Sequence, residues 1–316
     1  MAVDPGPGGV AWRVENSPDG SALSGPGYRR TIPYTREFLE ELAAHRRGLE
    51  LIDELLRSEH PPYIQERLGM LVRGHPVTEW KVLDFGCGAG ASAVSLARLG
   101  VRRIVGVDIV NDYARIWRRR LAEAGFAETG HFVQAGDTGA LPFCDGQFDA
   151  AFLNGLVEHL LPEERVTVLR EVFRTIRIGG VLFVTETPNR WFPRNSHTKL
   201  WLSELLPLRT AARLARRFGP RRDFPVSERT AIYRTGMRGA SVAQLRRILG
   251  RAAERLPLPL ELAVMEFSVP RNPLQSTPGK RNAGRGAGVW VRRAGRVPGF
   301  DAHAFAPHVN LAFRKR

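Results

Sequence analysis

The stretch that most constrains this chain is Trp80 to Ile109, WKVLDFGCGAGASAVSLARLGVRRIVGVDI. Lys81 to Phe85 is a short apolar run of the kind a buried parallel strand shows. It leads straight into Gly86-Cys87-Gly88-Ala89-Gly90 and then into a helical pattern, Ala91 to Leu99. A second apolar run, Arg103 to Val107, ends at Asp108. Strand, glycine turn, helix, strand and acid make a βαβ unit with a ligand cleft at the carboxyl ends of its strands. Glycine at 86, 88 and 90 removes bulk that would stand between the backbone and a ligand, and it permits positive φ. Asp108, at the tip of the second strand, is placed to accept hydrogen bonds from two ribose hydroxyls. The expected ligand contains adenosine.

Two adenosine ligands compete. Gly86-x-Gly88-x-x-Ala91 satisfies the dinucleotide pattern, which alone is weak. Asp84 argues against it, because a carboxylate two residues before the first glycine would repel a pyrophosphate. The same carboxylate suits a ligand with an ammonium and a sulfonium, and S-adenosylmethionine is that ligand. At this point the sequence resembles the class I methyltransferases, whose first motif reads much like VLDFGCGAG. Three later stretches extend the likeness in the right order: QAGDTGALPF (Gln134 to Phe143), FDAAFLNGLVEHL (Phe148 to Leu160) and TIRIGGVLFVT (Thr175 to Thr185).

The resemblance implies a Rossmann-like α/β sheet, mostly parallel with an antiparallel last hairpin. It implies a cofactor set of Asp84, Gly86, Cys87, Gly88, Gly90, Asp108 and Ile109 from the first motif, joined by Asp137 and Thr138 at the adenine. Asn154 and Gly155 would flank the reacting methyl. Gly155 stands where the family more often carries a larger residue.

Composition sets the domain layout. The first thirty residues hold six glycines and four prolines with no apolar block, which reads as a disordered leader and not a secretory signal. Residues 31–78 are a helical cover, with a long helix from Tyr34 to Arg57 ended by Pro61-Pro62 and a shorter one from Ile64 to Arg73. The core follows over 79–189, a basic insertion over 190–240, and a C-terminal helix and strands over 241–316. There Ser241 caps a helix, Glu261 to Val269 reads as a strand, 271–299 as a flexible loop and His308 to Phe313 as the last strand. Two cysteines, Cys87 and Cys144, give no disulfide framework or metal cluster and suit a cytoplasmic protein.

Charge is one-sided. Arg190 to Arg316 carries 26 basic and 7 acidic residues, whereas the rest of the chain has a net charge of −4. Such an excess favours an anionic partner. With only four lysines, compositional bias towards arginine explains it equally well.

His159 is the candidate general base for an oxygen nucleophile, since histidine as a residue type suits proton removal near neutral pH. A capping or packing role for Glu158-His159 remains open. Past the fifth strand, ETPNRWFPRNSHT (Glu186 to Thr198) offers Asn189, Arg190, Trp191, Arg194 and His197 to an acceptor. This segment is similar to one in methyltransferases of cell-surface polysaccharide and glycolipid assembly, which points to a sugar or lipid-linked glycan hydroxyl. A rigid basic connector is the plainer alternative. Pro207 to Phe218, with arginines on one side and apolar residues on another, reads as a lid helix or as a peripheral contact with an anionic membrane. Two rival functions stay in view: an RNA methyltransferase that tracks phosphates with the basic half, and a non-catalytic binder on the same fold. No separate RNA-binding module and no Asn/Asp-Pro-Pro-Tyr motif is present.

Overall fold

The computed structural model describes residues 2–3, 12–17, 20–25, 28–59, 63–219, 223–268, 291, 293, 297 and 301–316. The chain divides into two compact units, one drawn from 1–80, 87–134 and 270–281, the other from 81–86, 135–269 and 282–316.

The N-terminus departs from a disordered leader. Strands β1 (Ala2–Val3), β2 (Trp12–Ser17), β3 (Gly20–Gly25) and β4 (Tyr28–Ile32) form an antiparallel four-stranded sheet. Summed composition hides the reason. Strand-favouring Trp12, Val14, Leu23, Tyr28 and Ile32 are separated by Pro18-Asp19 and Pro26-Gly27, dipeptides that favour turns.

Three helices follow: α1 (Arg36–Ala44), α2 (Gly48–Glu59) and α3 (Tyr63–Leu71). The expected long helix is therefore two. A Cβ at Gly48 would lie 2.4 Å from the Ala43 carbonyl oxygen, so the glycine lets α2 start hard against the end of α1. Thr35 caps α1 by accepting from the Phe38 N–H at 3.3 Å, and its own hydroxyl donates to Glu123 at 2.6 Å.

Next come β5 (Lys81–Phe85), α4 (Ala91–Arg98), β6 (Arg103–Asp108), α5 (Tyr113–Glu123) and β7 (Gly130–Gln134). Trp117 of α5 is closed off from solvent above β6 and β7. A Cβ at Gly106 or Gly130 would sit 2.8 or 2.6 Å from its ring, so both glycines make room for the indole.

The chain continues with β8 (Phe148–Asn154), α6 (Pro162–Thr175) and β9 (Ile176–Pro188). Every residue from Ala150 to Leu153 and from Val181 to Val184 is buried, as expected for strands covered on both faces. Phe152 and Phe183 pair across β8 and β9 with stacked rings 4.6 Å apart.

The insertion holds two helices, α7 (Leu208–Phe218) and α8 (Arg229–Arg234), around a small core of Ala211, Ala212, Ala215, Phe224, Ile232 and Met237. Then α9 (Val242–Leu249) begins at the expected cap, the Ser241 hydroxyl accepting from the Gln244 N–H at 3.2 Å. The last elements are β10 (Ala253–Arg255), α10 (Leu260–Ser268) and β11 (His308–Lys315).

Two expectations change here. Glu261 to Val269 was expected as a strand, and its described residues belong to a helix. Leu262, Ala263, Val264 and Met265 are all buried, and a short run covered all round carries no period to tell helix from strand. The partner of the terminal strand is instead the three-residue β10. The expected loop at 271–299 lies outside the described residues apart from 291, 293 and 297.

Strand order in the seven-stranded sheet is β10-β11-β9-β8-β5-β6-β7. The pairs β5–β8, β8–β9 and β6–β7 are parallel, while β11 runs antiparallel to both β9 and β10. This is the Rossmann-like sheet with an antiparallel end that the motifs implied.

Candidate functional site

The glycine turn is built from backbone. Gly86, Gly88 and Gly90 all have positive φ (76°, 48° and 89°). Their reasons differ, and the idea that each clears space for a ligand needs correcting. A Cβ at Gly90 would meet Trp117 at 3.0 Å, and at Gly86 it would meet Leu156 at 2.8 Å. Only at Gly88 does the added carbon find no described atom within 4 Å. Packing explains two glycines. Open space explains one.

Asp108 is held beside that space. Its Oδ2 accepts from the Gly88 N–H at 3.0 Å and its Oδ1 from the Val110 N–H at 2.9 Å. One bond to each oxygen fixes the carboxylate in plane and leaves further lone pairs for two hydroxyls. Ile109 follows with 56% of its surface exposed, an apolar face beside that carboxylate. Cys87 is buried with a free thiol, and its N–H donates to the Val107 carbonyl at 3.1 Å.

The turn also has a support that motif reading missed. Arg120 of α5 is fully buried and donates to the Ala89 carbonyl at 3.3 Å, to Glu54 at 3.1 Å and to Ser58 at 2.6 Å. One guanidinium thus joins the turn to α2. Glu59, on the same helix, takes hydrogen bonds from Arg98 at 2.9 Å and from the Tyr34 hydroxyl at 3.0 Å. Nothing in the spacing marks Arg120 apart from its neighbours Arg118 and Arg119; only the fold turns it inward.

In the second unit, Asp84 on β5 is 1% exposed, closed off from water. Asp137 is exposed, and its Oδ1 accepts from the Gly139 N–H at 2.7 Å, an Asx-type turn that keeps Thr138 beside it. At the end of β8, Asn154 accepts from the Thr185 hydroxyl at 2.6 Å, and the Gly155 N–H donates to the Thr185 carbonyl at 2.9 Å.

Around that strand end the structure gathers groups scattered in sequence. Glu158 is buried, with Oε2 accepting from the Thr187 hydroxyl at 3.1 Å. Its Oε1 lies 3.9 Å from Nε2 of His159 and 3.9 Å from Nε2 of His197. The two imidazoles meet edge to face, 5.9 Å between centroids. Burial pushes the Glu158 carboxyl above its usual range; His159 and the Thr187 hydroxyl pull it back, and Glu186 adds to the rise. Nδ1 of His159 lies 2.8 Å from the Arg234 carbonyl oxygen. A carbonyl only accepts, so Nδ1 carries the proton and the neutral ring keeps its lone pair on Nε2. The Arg234 guanidinium returns a bond to the His159 carbonyl at 2.7 Å and pairs with Glu164 at 2.6 Å. Gly236 closes over both rings: a Cβ there would lie 2.9 Å from Cε1 of His159 and 3.1 Å from Nε2 of His197.

Glu186 is the other residue that pattern reading missed. Opposite Asn310 the β9–β11 register slips, and Glu186 takes φ 58°, a conformation a non-glycine side chain seldom adopts. Such bulges re-aim a side chain, and here the Glu186 Cβ stands 3.9 Å from the Cβ position of Gly155. Its sequence signal, an acid before Thr-Pro at a strand end, is too common to find it.

The acceptor candidates separate. His197 joins the histidine pair. Asn189 does not face an acceptor: its amide donates to the carbonyls of Ala304 and Ala306 at 2.8 and 2.9 Å, and its oxygen accepts from the Trp191 N–H at 3.0 Å. Arg194 donates to the Lys199 carbonyl at 3.2 Å within its own loop. Arg190 and Trp191 are exposed. Among the described residues, no group of three or more His, Cys, Asp or Glu side chains could hold a metal ion. No helix among them is long and apolar enough to cross a membrane.

Residues 82–180 match the family described as a methyltransferase domain. That stretch is similar to class I S-adenosylmethionine-dependent methyltransferase domains. Over 112 residues the chain is 40% identical to a fatty-acid O-methyltransferase of Mycolicibacterium smegmatis, covering 35% of this chain and 38% of that one. Over 115 residues it is 36% identical to a demethylmenaquinone methyltransferase of Beutenbergia cavernae, covering 36% and 43%. The chain thus spans about two fifths of these relatives' length. The solved structure of a geranyl diphosphate C-methyltransferase from Streptomyces coelicolor is similar, with a TM-score of 0.49 and 16% identity, covering 86% of this chain and 85% of that one. The methyltransferase-domain match ends before the insertion, so the histidine pair is only half inside it.

Proposed function

We propose that the protein transfers a methyl group from S-adenosylmethionine to an oxygen atom of a small organic acceptor. The residues fit the donor. A fixed carboxylate with spare lone pairs suits a ribose diol, and the open side of Gly88 suits close approach of the methionine part. In the first unit, Asp108 and Ile109 would hold the adenosine, and Cys87, Gly88 and Gly90 would face the methionine half. In the second, Asp137 and Thr138 are the proposed adenine residues, Asp84 and Gly86 would face the methionine half, and Asn154 and Gly155 the methyl. When bound, the sulfonium supplies an activated methyl group and leaves as a thioether.

The carrying observation is the fixed tautomer of His159, whose Nδ1 bond to Arg234 leaves Nε2 basic and turned to the buried carboxylate. Nε2 takes the proton of the acceptor hydroxyl as its oxygen bonds to the methyl carbon, and Glu158 stabilises the imidazolium. General-base help of this kind contributes ~10²–10⁴-fold. Gly236 covers one side of the two rings, which remain about a third exposed and open to an incoming acceptor. A sugar or lipid-linked glycan hydroxyl is the acceptor we favour, and the likeness to relatives named for fatty acids and menaquinones supports an apolar body attached to it.

Transfer of labelled methyl from S-adenosylmethionine to a panel of glycolipid, fatty-acid, quinol and RNA acceptors tests this reading. Labelling of a hydroxyl-bearing amphiphile that depends on His159 is expected. Labelling of RNA alone, or of no acceptor despite donor binding, overturns it.

A further inference from the structure

Nine large apolar side chains are exposed among the described residues, and five of them lie between Trp191 and Phe218. Trp191 (66% exposed) and Trp201 (69%) are the largest. They are not scattered ends of a loose loop. An antiparallel bridge joins Arg194 to Trp201, and the Leu202 N–H donates to the Pro193 carbonyl at 2.6 Å. Leu202 itself is held at φ 56°, and the Leu205 N–H returns to its carbonyl at 3.1 Å. Beneath this turn the Arg238 guanidinium donates to the carbonyls of Ser203 at 3.1 Å and Glu204 at 2.6 Å, and also to that of Leu206. The Asn189 amide grips the carbonyls on both sides of Phe305 while its oxygen holds the Trp191 N–H, so one side chain ties down the backbone beside two exposed aromatics. Apolar groups are thus displayed on a rigid frame, at a cost in hydration that folding alone does not offset.

The charge carried by this stretch itself has one sign. From Arg190 to Gly219 there are seven basic residues and a single acid, Glu204. That acid is buried, accepting from the Asn195 amide at 2.7 Å and the Gly239 N–H at 3.0 Å. Every charge that this stretch presents to solvent is therefore positive. On α7 the small residues Ala211, Ala212 and Ala215 face the core, while Arg209, Arg213, Arg216 and Arg217 are exposed with Phe218 at the end. The end of α7 adjoins the tryptophan loop, since a Cβ at Gly219 would lie 3.1 Å from the Thr198 carbonyl.

We infer that this face docks on an anionic lipid surface, with Trp201, Leu202, Leu205 and Phe218 entering the headgroup region and the α7 arginines meeting lipid phosphates. Tryptophan beside aliphatic side chains, ringed by arginine, suits a membrane interface. RNA would be met by arginine and aromatic rings, but Leu202 and Leu205 offer bases no stacking face. This surface is larger than the single helix that the sequence suggests, and its core is the loop leaving β9. Because that loop also carries His197, a docked protein would meet its acceptor at the bilayer; this last step rests on the proposed methyl transfer, whereas docking itself does not.

The test is cosedimentation of the full chain with vesicles of phosphatidylcholine alone and of phosphatidylcholine mixed with phosphatidylglycerol, at low and high salt. Single-stranded RNA serves as a competitor. Binding to the anionic vesicles only, weakened by salt, is expected. Arg209→Glu with Arg213→Glu should weaken it by at least about tenfold, and Trp201→Ser with Phe218→Ser should lower it as much at fixed salt. Methyl transfer to a water-soluble acceptor should stay unchanged in both variants. Absence of vesicle binding, binding indifferent to both pairs, or displacement by RNA in proportion to its charge overturns the inference. Docking by a protein that transfers no methyl group would overturn only the reading of the preceding section.

Discussion

At the glycine turn, the proposed donor site is built largely from backbone, joined by the Asp108 carboxylate, and the other side chains around it hold that backbone still. Arg120 fixes the Ala89 carbonyl, Trp117 fills the space opposite Gly90, and Asp108 is pinned by two main-chain N–H groups. At the exit of β9 the order is reversed. There Glu186 is strained at φ 58°, Gly236 lies over the rings, and the groups so aimed are titratable side chains. Backbone recognition suits a donor common to a whole family. Side-chain recognition suits an acceptor that differs from one protein to the next, because single substitutions can alter it.

The largest expected effect lies on the side-chain side. His159→Ala should lower turnover by about 10²–10⁴-fold and leave S-adenosylmethionine affinity, read by calorimetry, within error of the parent. Equal loss of binding and turnover would mean that the two regions are not separable in this way. On the backbone side, Arg120→Ala should cost about 1–3 kcal/mol of stability, since it leaves the buried Ser58 hydroxyl and Ala89 carbonyl short of a partner and frees the turn. Chemical denaturation measures the loss. A variant that unfolds normally but still binds the donor tightly would show that the turn needs no such clamp.

A smaller effect is expected at Gly236→Ala. Its added carbon falls 2.9 Å from His159 and the backbone there favours glycine, so about 1–3 kcal/mol of strain is imposed. Turnover should fall at least tenfold by displacement of the rings, with donor affinity intact. If instead donor affinity falls and turnover of bound complexes holds, the acceptor-side reading of the histidine pair fails.

The two regions also differ in how much of them could be read in advance. The βαβ unit was legible because its signals are local: an apolar run, a glycine turn, a helical period and an acid follow one another within thirty residues. Even so, the purpose of Gly86 and Gly90 was not, since Leu156 and Trp117 lie far along the chain. The exit of β9 was legible only in part. His159 and His197 could be singled out by type, but their shared carboxylate needs Thr187 and Gly236 in place. Asn189 looked like an acceptor residue and proves to be a latch on 304–306, a role set by contacts 115 and 117 residues away. Glu186 depends on a slipped register against Asn310, which no window of sequence contains. The helix α10 was misread because a run buried all round shows no period.

The finest distinction concerns pH. Glu158 is the buried acid of the side-chain region, and burial raises its carboxyl above the ordinary value of 4.5. The folded protein therefore holds this proton more tightly than the unfolded chain does. Its contribution to stability is full below pH 4.5 and is lost as pH rises through the folded value, after which it stays lost. His159, His197, Glu186 and Arg165 face or feel this group. Glu158→Gln keeps the shape and removes the titration. Its melting temperature should approach and then exceed that of the parent as pH is raised from 4.5 towards 8, even though turnover is lower. Parallel pH profiles for parent and Glu158→Gln would show that burial does not raise this carboxyl, and the side-chain-built half would lose its electrostatic basis.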